Sequence, residues 1–183
     1  MKRTTLFSLL LLTLTMSTTS ASAHEFIAST TGKTTVKVLT TSVFTNAAGK
    51  AECTGASLLA GEVKTLKATL LTSTIQFTGC KAFGLAATVS PVNVLSTAEG
   101  SVSLLKTATV KTTGCLVTFP TTGNQNLNTI KYKNTNKQIE KVANVTAITS
   151  EGTGTVCTYA KESKGTFTGD ALVGLISGTL EWK

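Results

Sequence analysis

Thr74-Ile75-Gln76-Phe77-Thr78-Gly79-Cys80-Lys81-Ala82-Phe83 decides the fold, together with its echo Val110-Lys111-Thr112-Thr113-Gly114-Cys115-Leu116-Val117-Thr118-Phe119. In each stretch an alternating run leads into Thr-Gly-Cys, and a phenylalanine follows the cysteine within four residues. Alternation with a period of two sends one set of side chains to a buried face and the other to water, the pattern of a half-buried strand. The glycine before each cysteine lets the backbone bend where a bridge must form.

The same reading extends outward along the chain. Threonine and valine are abundant, and their branched Cβ favours strands. The prolines are confined to Pro91 and Pro120, and few windows show helical periodicity with caps. Strands are expected over 34–45, 62–77, 101–111, 129–133 and 138–149, with a glycine-punctuated pair over 165–182. Asn134-Thr135-Asn136-Lys137 reads as a hairpin turn, because asparagine tolerates left-handed backbone angles. Gly123-Asn124-Gln125-Asn126 reads as a protruding loop. Antiparallel strands on short turns imply an all-β fold, an antiparallel sandwich or flattened barrel.

Upstream of the strands, Met1-Lys2-Arg3 is positive, Leu6 to Met16 is an apolar run, and Ala21-Ser22-Ala23 offers small residues for cleavage. That is the make-up of a secretory signal peptide over residues 1–23. The apolar run is shorter than the ~20 residues a membrane span needs. The expected mature chain is one β domain over 24–183, secreted and without a transmembrane segment. Its length is enough to bury a proper core.

Four cysteines stand at 53, 80, 115 and 157. An even count in a secreted chain implies disulfides. Three connectivities are possible; Cys53–Cys80 and Cys115–Cys157 are preferred, because each staples one half of the chain. No C-x-x-C spacing occurs and His24 is the only histidine, so no metal or other cofactor is expected.

The full chain carries a formal charge of +8, and losing Lys2 and Arg3 lowers it to +6. Arg3 is the only arginine. Forked contacts to phosphate and guanine depend on arginine, so a nucleic-acid partner is not expected.

Lys50-Ala51-Glu52-Cys53, Phe77-Thr78-Gly79-Cys80-Lys81-Ala82-Phe83-Gly84, Gly114-Cys115-Leu116-Val117-Thr118 and Gly165-Thr166-Phe167-Thr168-Gly169 are similar to elements of small secreted bacterial proteins of unknown function. Those proteins are rich in threonine, glycine and alanine and carry four similarly placed cysteines. The resemblance spans the mature chain and implies an extracellular β domain; it brings no catalytic or binding residues with it.

The inventory for catalysis is thin. Ser103-Leu104-Leu105-Lys106 matches S-x-x-K, but that motif should open a helix, and here it lies in a strand pattern. With one histidine, a Ser-His-Asp or Cys-His arrangement has only a chain end to draw on. The function expected is therefore a secreted non-enzymatic β-domain, a binding or structural module of the cell exterior. The alternative is a secreted carboxylate-dependent hydrolase of cell-wall or environmental polysaccharide, using carboxylates from loops near Glu99, Glu151 or Asp170. For the binding module the candidate residues are Lys131, Tyr132, Lys133, Asn134 and Asn136. Tyr132 is expected to project near a hairpin tip and stack on a sugar, while the lysines attract an anionic cell-wall polymer or polysaccharide.

Overall fold

The computed structural model describes residues 23–122, 127–128 and 130–183. The expected signal peptide (apart from Ala23) and the expected loop at 123–126 lie outside the described residues. Among the described residues there are strands and no helix. In chain order, the first are β1 (Phe26–Ala28), β2 (Gly32–Val38), β3 (Ser42–Asn46) and β4 (Gly49–Val63). Next come β5 (Lys67–Ala68), β6 (Leu70–Ala82), β7 (Leu85–Ala86), β8 (Thr88–Val89) and β9 (Val92–Thr97). They are followed by β10 (Ser101–Leu104), β11 (Ala108–Thr112), β12 (Cys115–Phe119), β13 (Leu127–Asn128) and β14 (Ile130–Thr135). The last three are β15 (Gln138–Thr153), β16 (Tyr159–Leu175) and β17 (Leu180–Trp182).

The pairing reduces most of these to eight staves, some of them interrupted. β2 with β3 is the first, β4 the second, β6 the third, and β7, β8 and β9 form the fourth. β10 with β11 is the fifth, β12 to β14 the sixth, β15 the seventh and β16 the eighth. Each stave runs antiparallel to the next along the chain. The eighth returns to the first, with Ala171 opposite Val38 and Phe167 opposite Phe44. Among the described residues the sheet therefore closes on itself as an up-and-down barrel, which protects most of its strand edges from recruiting another chain.

Turn chemistry sets the register. Phe83 and Gly84 have φ of 54° and 80° and join Ala82 to Leu85, the two-residue geometry that matches strand twist. Asn136 and Lys137, at 48° and 64°, do the same between Thr135 and Gln138. The expected turn is thus present but two residues tighter, with Asn134 and Thr135 still in the strand. Gly79, at φ 61°, lets the inward face pass from Phe77 to Cys80, where strict alternation would have chosen Gly79 itself.

Both preferred disulfides are formed. Cys53 and Cys80 are directly opposed on β4 and β6 with Cα atoms 4.0 Å apart. Cys115 and Cys157 tie the start of β12 to the β15–β16 connection. Stable disulfides belong to oxidising compartments, so the chain is a non-cytoplasmic protein.

Four expected strands end elsewhere. The run over 34–45 is broken between β2 and β3. The run over 62–77 is not continuous: the chain reverses between β4 and β6, and β5 within that connection pairs with β1. Residues 64–69 contain no glycine, proline or asparagine to announce the reversal. The run over 101–111 is interrupted between β10 and β11. In place of a pair over 165–182 there is one long strand, β16, followed by the short β17.

Two buried groups close the barrel at its ends. One contains Phe26, Val63, Leu71, Ile139 and Leu180, built where the small sheet β17-β1-β5 folds over the opening. The other contains Ala82, Val110, Cys115, Val117 and Phe119. What lies between them positions the site.

Candidate functional site

The middle of the barrel is hollow. Val36, Ile75, Phe77, Val92, Val94, Val102 and Leu104 all line its interior, yet each is only half-buried. In a filled barrel the inward rows would be sealed by one another. Here the surface they retain is the wall of a cavity of about 260 Å³. Phe44, Ala108, Val110, Phe119 and Ile148 line one end, and Ser96, Ile130, Lys141 and Val173 are also part of the wall.

Lys141 is the exception in this apolar lining. Inward residues of β15 alternate as Lys141, Ala143 and Val145, all of which line the cavity. The cross-strand neighbours of Lys141 are Tyr132 on β14 and Ala171 on β16. Its Nζ lies 5.7 Å from the Tyr132 ring centre and 5.9 Å from that of Phe26. Burial lowers its pKa from 10.5 to about 8, since desolvation disfavours the charged form. Lys141 has no carboxylate within ion-pair distance among the described residues.

Asp170 also borders the cavity, but by register it stands opposite Val142, one step out of phase with Lys141. Its backbone is tied to the first stave: Leu39 N–H donates to its carbonyl (2.8 Å) and its own N–H donates to Thr40 Oγ1 (2.9 Å).

The structure does not gather the candidate hairpin residues on one exposed face. Lys131 and Lys133 point outward and are exposed, and Lys133 Nζ lies 3.9 Å from Glu140. Tyr132, between them, points inward, which corrects the expectation that it projects near the tip. Strand alternation forbids all three from sharing a side. The Tyr132 ring packs edge-on to Phe26 at 5.2 Å and its hydroxyl donates to Thr97 O at 2.7 Å. Burial pushes the phenol well above its usual pKa, partly offset by a hydrogen bond with Ser96. Asn134 is exposed and holds the last strand, donating to Trp182 O and accepting from Trp182 N–H, both at 2.8 Å. Asn136 supplies the left-handed turn.

Other aromatic side chains and the candidate acids have structural partners or positions of their own. Trp182 donates from Nε1 to Ala98 O at 2.8 Å and stacks on His24 at 4.4 Å. Tyr159 donates to Ser150 Oγ and accepts from Asn46 Nδ2. Glu99 accepts from His24 N–H at 2.9 Å. Glu151 lies nine residues beyond Val142, the residue opposite Asp170. That places the two acids roughly 25–30 Å apart along the strand, far outside the ~5–10 Å that paired-carboxylate chemistry requires. Among the described residues no group of three or more His, Cys, Asp or Glu side chains could hold a metal ion, and no helix is long and apolar enough to cross a membrane.

Sequence reasoning missed the cavity and Lys141. The signal was present in the run Lys141-Val142-Ala143-Asn144-Val145. A lysine in phase with alanine and valine on one strand face belongs to the inside. No protein-family model, curated protein or solved structure matches this chain.

Proposed function

We propose that this chain is a secreted, non-enzymatic binding module that encloses one small apolar ligand inside its barrel. The observation that carries the proposal is the cavity of about 260 Å³ walled by aliphatic and aromatic side chains. Eight strands make a barrel just wide enough to be filled by its own side chains or to hold one small ligand. This interior uses small residues at wall positions, Ala51, Ala56, Ala108, Ala143, Gly169 and Ala171, so it leaves space. Apolar pockets with few polar groups are the usual form of small-molecule sites. The disulfides and the leader-like first 23 residues support a place outside the cytoplasm. The exposed Lys131 and Lys133 belong to the outer surface, where they support attraction to anionic cell-wall polymer as a property separate from the ligand site.

The test is a titration with 1-octanol, a neutral apolar probe, followed by the methyl resonances of valine, leucine and isoleucine. The expected result is saturable shifts at Ile75, Val94, Leu104 and Ile148. Shifts confined to the exposed Leu59, Leu66 and Leu70, or no saturable shift, would refute the proposal.

A further inference from the structure

We propose that the cavity is a site for a medium-chain monocarboxylate, held with its carboxylate on Lys141 and its chain directed toward Phe44, Phe119 and Ile148. This specifies the ligand class and rests on the reading of the barrel as a ligand carrier.

Three observations carry the inference. The first is the asymmetry of the wall. Lys141 is the inward-facing cation, and its neighbours on adjacent staves are an aromatic ring and a methyl group. A desolvated ammonium is costly unless a negative partner neutralises it. The faces of Phe26 and Tyr132 offset part of that cost, and a bound carboxylate would offset far more. Glu140, the acid nearest to Lys141 in sequence, pairs with Lys133 on the outside, and Asp170 is out of phase. The protein thus holds a cation inside with no carboxylate of its own in ion-pair contact among the described residues.

The second observation is size. A cavity of 150 Å³ takes benzene, with its six carbons. By proportion, 260 Å³ takes roughly ten non-hydrogen atoms. Octanoate has that number.

The third is shape. On β15 alone the wall runs from Lys141 to Ile148, roughly 20 Å of strand. A volume spread over such a length is elongated, which suits an extended chain. A compact ring system would need the same volume gathered in one place.

The polar groups near Lys141 fit this arrangement. Ser96 is buried and bonds to Tyr132, and Tyr132 donates onward to Thr97 O. The phenol is kept neutral there and adds no competing anion. The groups facing the Lys141 ammonium are therefore Tyr132 from β14, the Phe26 ring from β1 and Ala171 from β16; Asp170, next to Ala171, also borders the cavity but is not within ion-pair distance, and Glu140 pairs with Lys133.

The experiment measures dissociation constants for octanoate, 1-octanol and octylammonium by calorimetry at pH 7, with full-length mature protein and with Lys141→Met. The expected result is octanoate binding at least tenfold more tightly than octanol to the native protein, and octylammonium weakest. In Lys141→Met the preference for octanoate should vanish while octanol binding persists. Octanol binding without preference for octanoate in the native protein would overturn the anion subsite and leave the apolar carrier standing. A preference that persists in Lys141→Met would overturn the assignment to Lys141. Binding of neither compound to the native protein would remove the carrier reading as well. A second measurement needs no variant: the octanoate preference of native protein should decline as pH rises from 7 to 9.5 and the ammonium loses its proton. A constant preference across that range would also overturn the assignment.

Discussion

Lys141 and Tyr132 are direct cross-strand partners, and the lysine ammonium stands 5.7 Å from the tyrosine ring centre. Cross-strand partners point to the same side of a sheet, so the pair puts a cation and a phenol together inside the barrel. The cation lowers stability at neutral pH, because folding removes it from water. Burial holds its folded pKa at about 8 against 10.5 in water. Between pH 8 and 10.5 the unfolded chain keeps a proton that the folded chain has released, so stability rises with pH across that window. Below pH 8 both states are protonated and the full cost is carried. Lys141→Met should be more stable at pH 7 on the order of 2 kcal/mol, discounted for the access of solvent to the cavity. It should also lose the rise toward pH 9.5. Urea denaturation of both proteins at pH 7 and pH 9.5 checks this; equal pH dependence would refute it. Above pH 10 the sign reverses, since burial raises the Tyr132 pKa and the unfolded phenol ionises first.

Tyr132 itself should behave as a core residue. Tyr132→Ala should cost about 3–5 kcal/mol, the usual range for deleting a buried aromatic ring. Tyr132→Phe should cost about 1 kcal/mol, because the Thr97 carbonyl loses one of its two donors and keeps the Gly100 N–H. Lys131→Ala, on the outward side of the same strand, should change stability by less than about 0.5 kcal/mol. Chemical denaturation of the three variants would show it, and a near-neutral Tyr132→Ala would contradict the inward placement.

These side chains also show how far the sequence could be read. The Thr-Gly-Cys stretches predicted strands and a bridge at each cysteine, and both are present because period-two alternation and glycine placement are local signals. Closure was not legible. It depends on β16 meeting β2 and β3, a pairing between distant parts of the chain that no local pattern encodes. Strand β4 was overlooked because Gly49, Ala51, Gly55, Ala56, Ala60 and Gly61 have weak strand propensity. Those small residues are used for their size: Ala51 and Ala56 border the cavity, and a Cβ on Gly61 would lie against Thr34 Oγ1. Tyr132 was misplaced because an aromatic between lysines resembles an exposed platform when its phase relative to Ile130 and Asn134 is not counted.

The two disulfides should differ in their contribution. Cys53–Cys80 spans 27 residues and Cys115–Cys157 spans 42. In the chain-entropy model each contributes roughly 3–4 kcal/mol, and the longer loop contributes about 0.4 kcal/mol more. The Cys53 side chain also lines the cavity, whereas Cys115 and Cys157 lie in the end group. Replacing Cys53 and Cys80 together with alanine should therefore weaken octanol binding as well as stability. Replacing Cys115 and Cys157 should lower stability alone. Paired melting and binding curves separate these outcomes, and equal binding by both variants would show that the first bridge does not shape the wall.

A hollow interior makes one further demand, and it is opposite to that of a packed core. Adding methylenes to a filled core forces side chains off their rotamers and costs about 1–3 kcal/mol. Ala143 lines the cavity, and its neighbours across the ladder are Ile130 and Gly169. The glycine adds no side chain on that face, and the place of its missing Cβ is already lined by Ser42 and the Phe167 ring, so a longer side chain at 143 has to extend into the cavity itself. Ala143→Leu places three more carbons there, burying apolar surface worth about 0.8 kcal/mol per methylene before rotamer costs. The net gain expected is about 1 kcal/mol, or roughly 2–4 °C in Tm for a chain of this length. The same leucine occupies volume a ligand would need, so octanol affinity should fall at least fivefold as stability rises. Calorimetric melting and octanol titration on one preparation test both halves of the statement. A lower Tm with unchanged octanol affinity would mean that the interior at Ala143 is already full and that the ligand, if any, sits elsewhere.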